Sequence, residues 1–269
     1  MVLAPDGGVA GVDVRGGAPG TLGTDALKPG TLIQHANAVL LTGGSLFGLA
    51  AATGVMRYLE GHGAGMALGP VRIPGVVGAV IFDMLVGDPK ARPDAEAGYS
   101  ACEEASSEPA QGAIGAGCGA TVAKGGGTEA LAGGLGISSV AVRSAVVAAV
   151  MVANSVGGIW DDKQHEWVAP LSRWDRASNL LPGMNTTIGA VLTDAKLTKE
   201  QANRVAAVGH DGIARAVRPA HTLYDGDTLF CLATGGLDAP QDAIEAAAAD
   251  VVARAIVAGV RAAQTASFL

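Results

Sequence analysis

Apolar residues in this chain fall into short runs broken by glycine and polar residues, and their spacing alternates between strand-like and helix-like. Residues 36–41 read as a short apolar strand. Thr42-Gly43-Gly44 turns it toward a helix opening at Ser45, a residue type suited to capping, and running to about Glu60, with Gly61 and Gly63 ending it. Residues 76–84 read as a buried strand, and Asp94 as the cap of a second helix through Tyr99 and Glu104. Three glycine-punctuated apolar strands are expected at 113–124, 130–142 and 145–153. Residues 161–183, with Trp167, Pro170, Trp174 and Pro182, read as a linker. A strand over 186–193 follows, then a helix over 198–217 opening on Thr198-Lys199-Glu200-Gln201, a capping-box pattern. A strand over 227–234 precedes a final Ala-rich helix over 240–263, with Ile244, Val251, Ile256 and Val260 at helical spacing. The pattern predicts an α/β chain, sheets covered by helices in one layered domain.

Composition narrows the class. The chain has 269 residues, enough for a large single core. Forty glycines and only 4% aromatic residues suit closely approaching backbones filled by Ala, Val and Leu. A formal net charge of −7 argues against a nucleic-acid partner. Three scattered cysteines, Cys102, Cys118 and Cys231, fit a reducing, cytoplasmic setting better than a disulfide framework. No signal-peptide pattern opens the chain, and no apolar stretch is long enough for a membrane span.

Candidate chemistry centres on Asn185-Thr186-Thr187-Ile188. A threonine at a strand start is common, because β-branched residues suit strands. A threonine made N-terminal by a cut, however, carries its own base, the α-amine. Tyr224-Asp225-Gly226-Asp227-Thr228 reads either as a solvated Asp-Gly turn or as two carboxylates turned to one side. Asn154 either terminates a strand or supplies an amide donor to an oxyanion. The glycine-rich run 112–126 is not a phosphate loop: Lys124 is followed by Gly125, Gly126 and Gly127, not by Ser or Thr. His35, His62, His165, His210 and His221 show no metal-ligand pairing, so no metal and no cofactor are expected. Cys118 and Cys231 read as structural.

Together these segments resemble the peptidase family of β-aminopeptidases, L-aminopeptidase/D-esterases and nylon-oligomer hydrolases. The resemblance rests on Val12 through Gly20, Leu41 through Leu49, Ala79-Val80-Ile81-Phe82-Asp83, Gly115 through Gly126, Val152-Ala153-Asn154, Asn185-Thr186-Thr187-Ile188 and Asp225-Gly226-Asp227-Thr228, in the family's order. It implies a self-processing N-terminal-nucleophile hydrolase with an αββα four-layer sandwich. The Asn-Thr junction is most similar to the nylon-hydrolase branch; aminopeptidase members typically have Ser there. By that resemblance, cleavage after Asn185 yields fragments 1–185 and 186–269, with Thr186 as nucleophile. Asp225 and Asp227 would orient it, Asn154 stabilise the oxyanion and Lys124 position the new amine. The family's active-site tyrosine matches Phe82, a possible pocket residue without the hydroxyl. The family usually carries a further segment before Arg15-Gly16-Gly17, so a lost edge strand is expected.

The expected reaction is hydrolysis of a small amide or peptide substrate through an acyl-enzyme on Thr186, in a homo-oligomer of four or more copies. Two alternatives stand beside it: an acyltransferase resembling the ornithine acetyltransferases, and an uncleaved, non-enzymatic homologue.

Overall fold

The computed structural model of the protein describes residues 1–126, 130–171 and 184–266. Eight strands form its main sheet: β1 (Val2–Val14), β2 (Thr21–Leu22), β3 (His35–Thr42), β4 (Val76–Val80), β5 (Gly134–Val142), β6 (Ala145–Asn154), β7 (Thr186–Ala195) and β8 (Thr228–Leu237). Their spatial order is β2-β4-β3-β1-β8-β7-β6-β5. The sheet is mixed: β3/β4 and β7/β8 are parallel, and the other neighbours are antiparallel. Among the described residues four α-helices accompany it: α1 (Ala51–Gly61), α2 (Ala95–Glu103), α3 (Lys199–Ala216) and α4 (Gln241–Ala266).

Three apolar cores reveal the layering. One lies between the β5–β8 half of the sheet and α3 with α4, and includes Met151, Val191, Leu229, Ile213 and Ile256. A second joins the opposite face of that half to β3 and β4, through Ile188, Ala190, Phe230, Val39 and Val77. A third covers the far face of β3 and β4 with α1 and α2, through Leu40, Val55, Leu59 and Cys102. The sheet thus folds over on itself as two stacked layers, helices outside each, which gives the expected αββα arrangement. β1 is the strand common to both layers. Its pairing with β3 shifts register between Leu3 and Gly8, an irregularity that bends a strand.

Several elements match their sequence signals. Asp94 Oδ1 accepts from Ala97 N at the start of α2, at 2.9 Å. Thr198 and Gln201 form the reciprocal capping box of α3. Other expectations need correction. Ser45 does not cap α1: it has φ +54° and opens a 3-10 turn, Ser45–Ala50, that precedes the helix. The strand expected at 113–124 is absent, because Gly112, Gly115 and Ala123 take left-handed backbone angles that extended chain cannot include. Short turns at Gly115–Gly117 and Lys124–Gly126 and a two-residue strand, Thr121–Val122, stand there instead. The linker expected at 161–183 begins as strand: Gly158–Asp161, Glu166–Ala169 and Val217–Arg218 make a small sheet. Trp174 and Pro182 lie outside the described residues.

The sequence pattern missed β1, because Pro5, Asp6, Gly7, Gly8 and Gly11 interrupt its apolar run. Gly11 is demanded by packing: a Cβ there would sit 2.3 Å from the backbone of Ala202 and Asn203 in α3. The first strand lies in the sheet interior, between β3 and β8.

Candidate active site

The site forms where β6, β7 and β8 converge at one end of the sheet. Antiparallel pairing sets Asn154, the last residue of β6, opposite Thr186, the first of β7. The parallel pairing of β7 with β8 starts at Ile188 and Thr228. Beyond that rung, Asn185 still makes a parallel bridge to Asp225. The turn Asp225-Gly226-Asp227 therefore closes directly over the Asn185–Thr186 peptide. Asn185 is fully buried, Thr186 is 3% exposed, and Asp225 and Asp227 are 1% exposed.

The carbonyl oxygen of Asn185 receives two donors. One is the backbone N–H of Gly226, at 2.9 Å. The other is the Thr186 hydroxyl, in a short contact with the carbonyl of the residue before it. The same hydroxyl is the only side-chain nucleophile adjacent to that peptide bond on its C-terminal side.

Asn154 and Lys124 form the opposite wall. Lys124 Nζ donates to Asn154 Oδ1 at 2.9 Å, to Asn154 O at 3.1 Å and to Met184 O at 3.2 Å. Three carbonyl acceptors match the three N–H groups of an ammonium. Burial opposes that charge, pushing the Lys124 pKa down to about 7 against the attraction of Asp225. Asn154 Oδ1 also accepts from Thr121 N at 3.0 Å, and its Nδ2 donates to Phe82 O at 3.2 Å. An amide nitrogen has two protons, and among the described residues only one of them has a partner.

The two carboxylates have different tasks. Asp225 accepts from Val156 N through Oδ1, and from Thr222 N and its hydroxyl through Oδ2. Burial first, then the neighbouring Asp227, pushes its pKa up to about 6. Asp227 Oδ1 accepts from Thr187 N at 2.7 Å, fixing the head of β7. Its Oδ2 accepts from the backbone N of His221 at 3.1 Å and meets His221 Nδ1 at 2.7 Å.

Thr186, Asn154, Lys124, Asp225 and Asp227, singled out from the sequence, are thus brought together. Phe82 joins them through its backbone: the half-buried side chain does not line the neighbouring cavity of about 510 Å³, whereas Asp83 and Met84 do. Two contributors escaped sequence reasoning. Gly226 read only as a spacer between acids, although its N–H donates to the Asn185 carbonyl oxygen. His221 carried no signal, because its partner Asp227 is fixed by a turn whose geometry the sequence leaves open.

Comparison with known proteins places this geometry in a class. The fold matches a β-aminopeptidase of Burkholderia sp. with a TM-score of 0.72, at 23% identity, over 96% of this chain and 75% of that one. It matches the L-aminopeptidase D-Ala-esterase/amidase of Ochrobactrum anthropi, a variant of the Ntn-hydrolase fold, with a TM-score of 0.71 at 21% identity, over 97% and 75%. The architecture is therefore that of the Ntn hydrolases. Residues 2–268 match Peptidase family S58, and the chain belongs to that family. It is an amide-bond hydrolase. An uncharacterized aminopeptidase of Mycobacterium tuberculosis is 42% identical over 98% of this chain and 85% of its own. The 6-aminohexanoate-oligomer endohydrolase of Paenarthrobacter ureafaciens is 31% identical over 89% and 70%.

Proposed function

We propose that the chain matures by cutting itself between Asn185 and Thr186, and that Thr186 then serves as the N-terminal nucleophile of the amide hydrolase. The observation that carries this reading is the convergence of the Thr186 hydroxyl and the Gly226 N–H on the Asn185 carbonyl. In the first step Thr186 Oγ1 attacks the Asn185 carbonyl carbon, and the Gly226 N–H holds the developing oxyanion. The C–N bond breaks and the Thr186 nitrogen takes a proton, leaving an ester between Asn185 and Oγ1. Water hydrolyses that ester, giving Asn185 a new carboxylate and Thr186 a free amine and hydroxyl.

Turnover reuses the same hydroxyl. The Thr186 amine accepts its proton as the oxygen attacks a substrate amide. The free N–H of Asn154 faces the new oxyanion, and Lys124 fixes the Asn154 amide from behind. The leaving amine takes the proton, and water releases the acyl group from Oγ1. Asp227 holds the Thr187 N–H, so the nucleophile keeps its pitch.

The substrate is a small peptide or oligoamide. An aminopeptidase activity is favoured over oligoamide cleavage, because the higher identity and coverage are with the mycobacterial aminopeptidase. The same family resemblance supports a symmetric homo-oligomer of four or more copies, and the free thiols of Cys102, Cys118 and Cys231 support a cytoplasmic setting. Light scattering on the purified protein checks the first.

Denaturing mass spectrometry tests the core of the reading. The mature protein should give fragments 1–185 and 186–269, and Thr186→Ala should stay at full mass without amidase activity. A Thr186→Ala protein that still splits refutes it. Acyl transfer to an added amine in preference to water would move the assignment to an acyltransferase.

A further inference from the structure

Next to the site lies a cluster that the proposed mechanism does not use. His221 sits in the loop before the Asp225–Asp227 turn, with its side chain 19% exposed. Its Nδ1 meets Asp227 Oδ2 at 2.7 Å, and its backbone N donates to the same oxygen at 3.1 Å. The opposite ring nitrogen, Nε2, is buried and makes no hydrogen bond. Because Asp227 is acceptor-only when ionised, the proton of the contact belongs to Nδ1. The ring donates through Nδ1 in that contact, and Nε2 has no partner among the described residues.

The ring of His210, on α3, packs edge-on to His221 with centroids 4.9 Å apart and planes at 65°. His210 is fully buried, with Nε2 3.0 Å from the Asp13 carbonyl oxygen and 3.4 Å from the Asp13 carboxylate on β1. Asp13 in turn accepts from Arg15 Nε at 2.9 Å, while the Arg15 backbone N donates to Asp227 O at 2.8 Å. The charged or titratable groups around the His221–Asp227 pair are therefore His210, Asp13, Arg15 and Asp225, with Lys124 across the site. Among the described residues, the His221 ring has one hydrogen-bond partner, and it is Asp227.

Asp227 is thus held from two sides: one oxygen bonds the amide that follows the nucleophile, and the other bonds a histidine. We propose that His221 is a positioning residue for the reaction at Thr186, which holds Asp227 in the orientation that fixes the Thr187 N–H. This rests on Thr186 being the nucleophile. The contact removes the rotation that would let Oδ1 leave Thr187, and small displacements near a reacting atom are costly in rate.

Two substitutions separate the hydrogen bond from the bulk of the ring. His221→Phe keeps a ring and removes the donor; His221→Asn keeps a donor and cannot titrate near neutrality. Both are followed for kcat and KM on a peptide amide across pH, and for the rate at which full-length chain converts to fragments. The Phe protein should lose roughly tenfold in kcat with KM within about twofold. The Asn protein, which restores a donor, should keep most of the parent kcat. A merely structural role would lower both substituted proteins alike, with no rescue by the donor. An Asn protein that falls as far as the Phe protein, or a Phe protein with the parental kcat, overturns the proposal. If the Phe protein does not fold, the Asn protein decides alone: a kcat within about threefold of the parent supports the role, and a roughly tenfold loss removes it. Thr186→Ala, run in parallel, keeps the failures distinct. If that protein splits, the nucleophile assignment is wrong whatever His221 does.

Discussion

The backbone N–H of Gly226 donates to the carbonyl oxygen of Asn185 at 2.9 Å, on the very group that the Thr186 hydroxyl approaches. A Cβ at position 226 would lie 2.4 Å from the carbonyl oxygen of Ala18. Gly226→Ala should therefore push the turn away and weaken the donor. Losing one such donor costs about 10²–10³ in rate. Conversion of full-length chain to fragments, followed by mass spectrometry over time, should slow by roughly tenfold or more, with the folded state retained.

Lys124 ties three carbonyl oxygens together, two of them on Asn154. Lys124→Met keeps most of the volume and removes every donor. Its kcat should fall by roughly 10²-fold, since the amide facing the substrate oxygen loses its anchor. Fragment formation should slow as well, because Met184 lies two residues before the scissile bond. Steady-state kinetics and intact mass check both.

Asn154→Ala removes the side-chain donor proposed for the oxyanion of turnover. The expected loss is about 10²–10³ in kcat with little change in KM. Self-cleavage should be spared relative to turnover, since Gly226 serves the Asn185 carbonyl. A variant that cleaves itself at the parental rate and hydrolyses substrate poorly would separate the two oxyanion sites.

Two buried groups give opposite pH dependences of stability. Asp225, pushed up to about 6, binds protons more readily folded than unfolded, so its contribution to stability falls as pH rises from about 4 to 6. His210, pushed down to about 4 by burial, stays neutral when folded, so its contribution is present above its ordinary value near 6.5 and is lost as pH falls toward 4. The two partly cancel in the parent protein. Urea titrations at several pH values should show the advantage of Asp225→Asn over the parent growing between pH 4 and 6. His210→Phe should gain on the parent as pH falls from 6.5 to 4.

Gly11 carries a purely structural expectation. Gly11→Ala would drive a Cβ to within 2.3 Å of the α3 backbone. Overpacking of this kind costs about 1–3 kcal/mol, and here neither side is a flexible side chain. A lowered urea midpoint at unchanged slope checks it.

Much of this molecule was legible in its sequence where one local rule governs an element. The capping box at Thr198 and Gln201 and the cap at Asp94 fixed α3 and α2. The apolar run after Thr186 matched β7. Elements governed by distant packing were not legible. β1 hides behind glycines, one of which, Gly11, makes room for the backbone of α3, some 190 residues away in sequence. Residues 113–124 look extended, yet Gly112, Gly115 and Ala123 turn left-handed to bring the chain around the site. At the site itself, residue types with intrinsic reactivity, Thr186, Asp225 and Asp227, stood out. A backbone N–H, as at Gly226, has no letter of its own, and His221 is defined only by what it touches.

The interior position of β7 has one more consequence. Its neighbours are β6, from the part of the chain before residue 185, and β8, from the part after it. β8 is flanked in turn by β1, and α4 covers β5 and β6. A nick at Asn185 would leave two polypeptides interleaved within one sheet layer, β5 and β6 from the first piece and β7 and β8 from the second. Under the proposed cleavage neither piece carries the whole of that shared sheet, so an unfolded heterodimer would have to rebuild it between two separate chains.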